Sequence, residues 1–200
     1  VRTVLRRNPL WWGVAEGRFE GNVDEVVYRP VKSDATRMAA LVSGEIDFVL
    51  DPPLQDIARL KGNPAVRVIE GPENRVIFLA MEQAGDAMRY GSVKDRNPFK
   101  DARVRQALYA AIDVEAIRAQ VMRGKSAPTG SMVPARAQAP ASTEPRLLPH
   151  DPALARRLLA QAGYPQGFET QLLCPNNRYV NDERICTAIA STARCADGAA

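Results

Sequence analysis

Residues 97–113 read NPFKDARVRQALYAAID, and this stretch predicts a helix with a well-defined start. Pro98 and Phe99 lead in as extended chain, and the Asp101 carboxylate is placed to accept hydrogen bonds from the first free amides. Apolar residues then recur at helical spacing and share one face: Val104, Ala107, Leu108, Ala111 and Ile112. Asp113 is a second capping residue, so a further helix is predicted directly after the first.

The same stretch resembles the PFxDxRVRQAlxyAID segment of the family 5 extracellular solute-binding proteins, which are the peptide- and nickel-binding receptors of ABC importers. Three other segments are similar to motifs of this family and follow in the family's order: residues 7–13, 34–47 and 151–165. The resemblance covers roughly residues 4–191. It implies an α/β fold with three layers, in which a mixed sheet flanked by helices forms one lobe of a type II periplasmic-binding-protein-like structure.

The resemblance also predicts how the chain is divided. Residues 1–22 are expected to be a connector from the family's first lobe, residues 23–191 the substrate-binding lobe, and residues 192–200 a divergent tail. The family's signal peptide, most of its first lobe and a later segment have no counterpart here. We therefore expect a fragment of a longer receptor, either an engineered piece or the product of a truncated gene.

Strand and helix patterns alternate along the chain, which favours an α/β fold independently of the resemblance. Strands are predicted at residues 23–31, 46–50, 66–69, 76–81 and 168–174. Helices are predicted at residues 34–43, 53–61, 101–123, 152–162 and 182–193, with Asp34 and Asp151 as caps and Gly44 and Gly163 as stops. Residues 76–81 are apolar on both faces, so we expect a central strand covered on both sides.

Composition excludes several classes of protein. The net charge is +4, and the lysines and arginines are scattered, so the basic patch of a nucleic-acid-binding protein is absent. The sequence contains no 18-residue apolar run of the kind that spans a membrane. Cys174, Cys186 and Cys195 lack zinc-site spacing, and their odd number leaves at least one unpaired, so we interpret them as buried or incidental thiols.

Three segments have the polar residues after a strand that line a ligand cleft in open α/β sheets. The candidate ligand-binding residues are Asp51, Pro52, Met81, Glu82, Gln83, Asn177, Arg178 and Tyr179. Arg178 suits a carboxylate, and Tyr179 offers a flat contact surface. Two of these residues have a structural alternative: Glu82 as a local cap or a surface ion pair, and Arg178 as a residue that orders its own loop with Asp182.

By resemblance, the parent protein binds an oligopeptide, a dipeptide or a similar small solute in the periplasm and delivers it to a membrane permease. No catalysis, cofactor, metal or nucleic acid is implied. A second hypothesis is a stand-alone interaction module that forms a homodimer through residues 51–53 and 76–83. A third is an enzyme with a Cys174–His150 pair, for which the sequence spacing offers no support.

Overall fold

The computed structural model describes residues 2–18, 22–134 and 147–196. The chain forms two compact units, Val1–Arg67 and Val68–Ala200. The division predicted at residues 22 and 191 stays a prediction. Within the described residues, no helix is both long enough and apolar enough to cross a bilayer.

The first unit contains a two-stranded antiparallel sheet. Strand β1 (Thr3–Arg6) pairs with strand β2 (Glu25–Tyr28), and the short helix α1 (Trp12–Ala15) lies between them in the sequence. Every residue of both strands is exposed. The Arg6–Glu25 ion pair at 3.0 Å joins the two strands, but because both side chains are exposed it contributes little to stability.

Two helices follow the sheet in the first unit. Helix α2 (Asp34–Ser43) is capped by Ser33, whose hydroxyl accepts a hydrogen bond from the Thr36 amide at 3.3 Å. The prediction that Asp34 caps this helix was therefore wrong by one residue. Gly44 ends the helix with φ at 77°, as predicted.

Helix α3 (Ile57–Lys61) is shorter than predicted. Its predicted start at Pro53 was wrong, because the Pro53 carbonyl accepts a hydrogen bond from the Asp56 amide at 2.9 Å and closes a separate turn. The helix therefore begins only after that turn.

The second unit is built mainly from helices. A 3₁₀ turn (Pro98–Lys100) leads into helix α4 (Ala102–Ala111), which Asp101 caps by accepting a hydrogen bond from the Arg103 amide at 2.8 Å. Helix α5 (Val114–Ala116) continues as a π-helical turn (Ile117–Val121), and Asp113 caps its start. Both predicted caps are confirmed, whereas the prediction that Pro98 and Phe99 form an extended lead-in was wrong, because they lie in the 3₁₀ turn.

The two remaining helices also lie close to their predicted bounds. Helix α6 (Pro152–Gln161) is capped by Asp151, whose carboxylate accepts from the Leu154 amide at 2.8 Å. Gly163, two residues after the end of the helix, adopts φ 89°, which confirms it as the predicted stop. Helix α7 (Asp182–Ala196) is the longest in the described part of the chain.

The core of the second unit lies where α4 packs against α6. Small side chains let the two helices approach closely, and aromatic rings close one end. The buried residues are Val104, Ala107, Ala110, Ala111, Ala155, Leu159 and Tyr164. The predicted apolar face of α4 is confirmed for Val104, Ala107 and Ala111, whereas Leu108 and Ile112 are only half-buried and the fully buried Ala110 was missed.

Four predicted strands are absent from the described residues. Residues 46–50, 66–69 and 76–81 have no strand pairing, and the segment 168–174 forms only one isolated bridge, between Thr170 and Gly91. The prediction of a central strand at 76–81 covered on both faces was wrong, because Phe78 is 57 % exposed. A strand requires hydrogen-bonded neighbours, and the described residues supply none for these segments.

Candidate functional site

The loop before helix α7 is anchored by Asp182, the first residue of that helix. Its carboxylate Oδ2 accepts hydrogen bonds from the backbone amides of Arg178 at 2.8 Å and Tyr179 at 3.0 Å. Oδ1 accepts from the Glu183 amide at 2.9 Å. Asp182 is buried, with 7 % of its surface exposed, so these bonds replace the water that the carboxylate has lost.

The same contacts set the ionisation of Asp182. Burial alone raises the pKa of this carboxyl group, but the hydrogen bonds from the amides of Tyr179, Arg178 and Glu183 outweigh burial and lower its pKa below the ordinary value of 3.8. Asp182 is therefore charged at neutral pH. This charge also complements the positive end of the α7 dipole.

A disulfide bond between Cys174 and Cys186 joins the start of this loop to helix α7. The interpretation of these two cysteines as incidental thiols was therefore wrong. Three cysteines allow three pairings, and only the folded geometry distinguishes them. A further contact comes from Asn181, whose Nδ2 donates to the Val121 carbonyl at 2.9 Å and ties the loop to the π-helical turn.

We call the segment from Cys174 to Asn181, which precedes α7, the clamped loop, because the disulfide to Cys186, the Asp182 carboxylate and the Asn181 side chain all restrain it. It presents three of the predicted ligand-binding residues: Asn177, Arg178 and Tyr179. Asn177 and Arg178 are exposed, and Tyr179 is half-buried. In the described part of the chain, the Arg178 guanidinium makes no ion pair with a carboxylate, and its Cζ lies 5.5 Å from the centroid of the Tyr179 ring.

A second cation at this loop was missed by the sequence analysis. The Arg75 guanidinium lies 5.3 Å from the centroid of the Tyr179 ring, and its Nη2 pairs with Glu73 Oε1 at 2.6 Å. Arg75 is about a hundred residues away in sequence, so no local pattern links it to the loop.

Glu82 is engaged in local structure rather than open to a ligand. Its Oε1 accepts hydrogen bonds from the amides of Ala84 at 2.6 Å and Gly85 at 2.8 Å, and its Oε2 accepts from Asn97 Nδ2 at 3.1 Å. These contacts match the structural alternative, a local cap. Within the described residues, no hydrogen bond or ion pair links the segment 81–83 to the clamped loop.

Asp51 and Pro52 belong to the first unit. Asp51 adopts φ 52°, a left-handed conformation that is uncommon for residues other than glycine. The expected strand before this pair is absent, so these residues do not occupy the predicted strand end.

The first unit has a shallow groove beside α2 and α3, lined by Asp34, Ala35, Met38, Ala39, Gln55, Asp56 and Arg59. Its two carboxylates are already paired, Asp34 with Arg37 at 2.6 Å and Asp56 with Arg59 at 3.0 Å. The groove therefore offers a ligand no uncompensated charge.

The chemistry of the site is that of binding. The Cys174 sulfur is in the disulfide, so the predicted alternative of a Cys174–His150 nucleophile has no thiolate. His150 Nδ1 instead lies 3.5 Å from Asp113 Oδ2. No cluster of His, Cys, Asp and Glu able to hold a metal ion occurs in the part of the chain that the structure describes. The clamped loop presents a cation and an aromatic ring, which are groups that can bind an anionic ligand.

The comparison with protein families identifies a family of solute-binding proteins. The family described as "Bacterial extracellular solute-binding proteins, family 5 Middle" matches residues 1–195. The chain belongs to this family, which confirms the resemblance noted in the sequence. Members of this family are solute-binding proteins rather than enzymes.

Curated relatives include the heme-binding protein A of Haemophilus influenzae, which is 33 % identical over 148 residues. The glutathione-binding protein GsiB of Salmonella choleraesuis is 32 % identical over 155 residues. These alignments cover 74 % and 78 % of this chain but 25 % and 28 % of the respective relatives. The chain thus spans about a quarter of the length of the curated relatives that it matches.

Solved structures show the same fold. The periplasmic binding protein DppA of Helicobacter pylori, in complex with the peptide STSA, has a TM-score of 0.68 at 20 % identity. That match covers 98 % of this chain and 34 % of DppA. AgaA of A. tumefaciens R10, in complex with agropinic acid, has a TM-score of 0.62 at 28 % identity and covers 88 % of this chain and 33 % of AgaA. The fold of this chain is therefore that of part of a helix-rich α/β periplasmic binding protein.

Proposed function

We propose that this chain is part of a receptor that captures a carboxylate-bearing solute, such as a short peptide, through the clamped loop. The observation that carries the proposal is the exposed Arg178 guanidinium, which has no carboxylate partner among the described residues although its backbone amide is held by Asp182. Because the backbone of Arg178 is already restrained, little backbone entropy is lost when a ligand binds.

The ligands named for the relatives support this chemistry. Heme, glutathione, peptides and agropinic acid all carry carboxyl groups. The planar guanidinium of arginine matches a carboxylate with two parallel hydrogen bonds. Tyr179 then provides a rigid surface beside the charge, and Asn177 an amide for further hydrogen bonds. The other candidate contacts with the solute stay predictions: Asp51, Pro52, Met81 and Gln83. The Glu82 carboxylate instead accepts hydrogen bonds from the amides of Ala84 and Gly85.

In this proposal the whole receptor closes around its solute by a hinge motion and delivers it to an ABC permease. We also propose that, in the whole receptor, this chain contributes to a three-layer lobe in which helices flank a mixed sheet. The Cys174–Cys186 bond supports a periplasmic location, because disulfides persist mainly in oxidising compartments.

The test uses calorimetric titration of the intact protein with the tripeptide Ala-Ala-Ala and with its C-terminal amide. We expect the amide to bind about tenfold or more weakly, since it lacks the carboxylate. The variant Arg178→Ala should weaken binding of the acid and bring its affinity close to that of the amide.

Arg184→Ala is the matched control, because Arg184 is an exposed arginine on α7 and its loss changes the net charge equally. The proposal is wrong if Arg178→Ala binds the acid as tightly as the wild-type protein does, or if neither peptide binds the wild type.

Self-association is a second candidate function, and the exposure of an apolar segment favours it. Ile77 is 51 % exposed and Phe78 57 % exposed, within the segment 76–83 that was predicted to be hidden in a dimer. Sedimentation velocity over a concentration series tests this candidate. A dimer that Phe78→Asp dissociates would support it, and a monomer at every concentration would exclude it.

A further inference from the structure

Two guanidinium groups contact the same tyrosine ring in the second unit. Arg75 Cζ lies 5.3 Å and Arg178 Cζ 5.5 Å from the centroid of Tyr179. The two cationic groups are therefore no more than about 11 Å apart, whatever their directions from the ring. Two cations within this distance repel each other only weakly in water, but an anion that lies beside both is attracted by both.

The two arginines differ in how their charge is compensated. Arg75 pairs with Glu73 at 2.6 Å, but its side chain is 36 % exposed and that of Glu73 is 56 % exposed. An ion pair in water contributes little to stability, so a ligand carboxylate replaces Glu73 at low cost. Arg178 has no acidic partner in the described part of the second unit. Arg75, Glu73 and Arg178 together carry a net charge of about +1 beside the Tyr179 ring, while the charge of the buried Asp182 carboxylate is compensated by backbone amides.

We propose that Arg75 is a second carboxylate-binding residue and that it gives the site a preference for solutes with two carboxylates. This inference rests on the proposed function, in which Arg178 binds the first carboxylate. Arg75 then determines which solute is preferred, because it binds a second carboxylate of the same molecule. The Tyr179 ring, which both guanidinium groups contact, keeps them within about 11 Å of each other. The class of ligand is a short peptide, or a peptide-like molecule, with an acidic side chain beside its terminal carboxylate.

The experiment compares two tripeptides that differ in one charge, Ala-Ala-Glu and Ala-Ala-Gln, by calorimetric titration of the intact protein. We expect the wild type to bind Ala-Ala-Glu about tenfold more tightly. Arg75→Ala should reduce this ratio to about one and leave the affinity for Ala-Ala-Gln nearly unchanged. Arg75→Lys should restore part of the ratio, since it keeps the charge but not the two-pronged geometry.

Arg89→Ala is the control, because Arg89 makes a comparable contact with Tyr90, 5.3 Å from the ring centroid. It should leave the ratio unchanged. If Arg75 only packs on Tyr179, Arg75→Ala weakens both peptides equally and the inference is overturned. Equal binding of the two peptides by the wild type also overturns it, while an effect of Arg178→Ala on both peptides would still support the proposed function. If the wild type binds neither peptide, the proposed function and this inference both fail.

Discussion

Asp182 Oδ2 accepts a hydrogen bond from the backbone amide of Arg178 at 2.8 Å, and this contact connects the start of helix α7 to the loop that carries the candidate binding residues. A second amide, that of Tyr179, bonds to the same oxygen at 3.0 Å. The side chain of Arg178 is thereby left exposed while its backbone is fixed. The backbone of the loop is thus held by a buried carboxylate in addition to the disulfide and the Asn181 contact.

Replacement of Asp182 by alanine should destabilise the second unit by about 1–2 kcal/mol, because it leaves the amides of Arg178 and Tyr179 without their acceptor. Chemical denaturation at pH 7 measures this difference in the free energy of unfolding. Glu183→Ala is the control, because Glu183 is exposed and its carboxylate caps no amide in the described structure. A loss of stability equal to that of the control would contradict the role given to Asp182.

The stabilisation by Asp182 should depend on pH in the acid range. Its pKa is lowered in the folded protein, so its carboxylate contributes fully above the unfolded value near 3.8 and loses that contribution as pH falls through the folded pKa. The difference between the wild type and Asp182→Ala should therefore be constant from pH 5 to pH 7 and shrink below about pH 4. A difference that persists unchanged at pH 2 would contradict this assignment.

Loss of the Cys174–Cys186 bond should destabilise the clamped loop. The bond closes a loop with a sequence separation of 12 residues. Chain-entropy estimates give about 3 kcal/mol for a loop of this length. The double variant Cys174→Ala/Cys186→Ala should unfold at lower denaturant concentration and show no further response to dithiothreitol. The variant Cys195→Ala should keep the dithiothreitol response of the wild type; if it loses that response, the pairing is wrong.

The helix starts of the second unit were predictable because their chemistry is local. Asp101, Asp113 and Asp151 each bond to an amide two or three residues further on, so the sequence contains both partners. The left-handed stop at Gly163 is local in the same sense. Ser33 was missed because Asp34, its neighbour, is an equally good capping residue by type.

The missing strands and the second cation show what local patterns leave undetermined. Residues 76–81 have strand-like composition, but a strand also needs a neighbour, and the described residues provide none. Arg75 reaches Tyr179 across about a hundred residues of sequence, and the Cys174–Cys186 pairing is one of three that the sequence permits. Each of these features depends on which distant segments meet.

Because α4 and α6 pack closely, a larger side chain between them should strongly lower the free energy of unfolding. Ala155 is completely buried against α4, while Ala160 lies on the exposed face of the same helix. Ala155→Leu should lower the free energy of unfolding by about 1–3 kcal/mol, because the added atoms force the helices apart. Thermal and chemical denaturation measure the effect. Ala160→Leu is the control and should change stability by less than about 0.5 kcal/mol.

The hydrogen bonds of the buried Asn97 side chain predict how a change from donor to acceptor affects stability. Its Nδ2 donates to the Glu82 carbonyl, to Glu82 Oε2 and to the Gly85 carbonyl, each at 3.1 Å, while its Oδ1 accepts from the Phe99 amide at 3.0 Å. Asn97→Asp keeps the shape but replaces the donor by an oxygen that faces three acceptors.

We therefore expect Asn97→Asp to be more destabilising than Asn97→Ala, by about 1–3 kcal/mol at pH 7, because it adds repulsion to the lost hydrogen bonds. The gap between the two variants should narrow in acid, where the introduced carboxyl group is protonated and again donates a hydrogen bond. Urea denaturation of both variants at pH 7 and pH 4 measures the gap. If Asn97→Asp is as stable as the wild type at pH 7, then Asn97 is not the donor that holds the turn at Glu82.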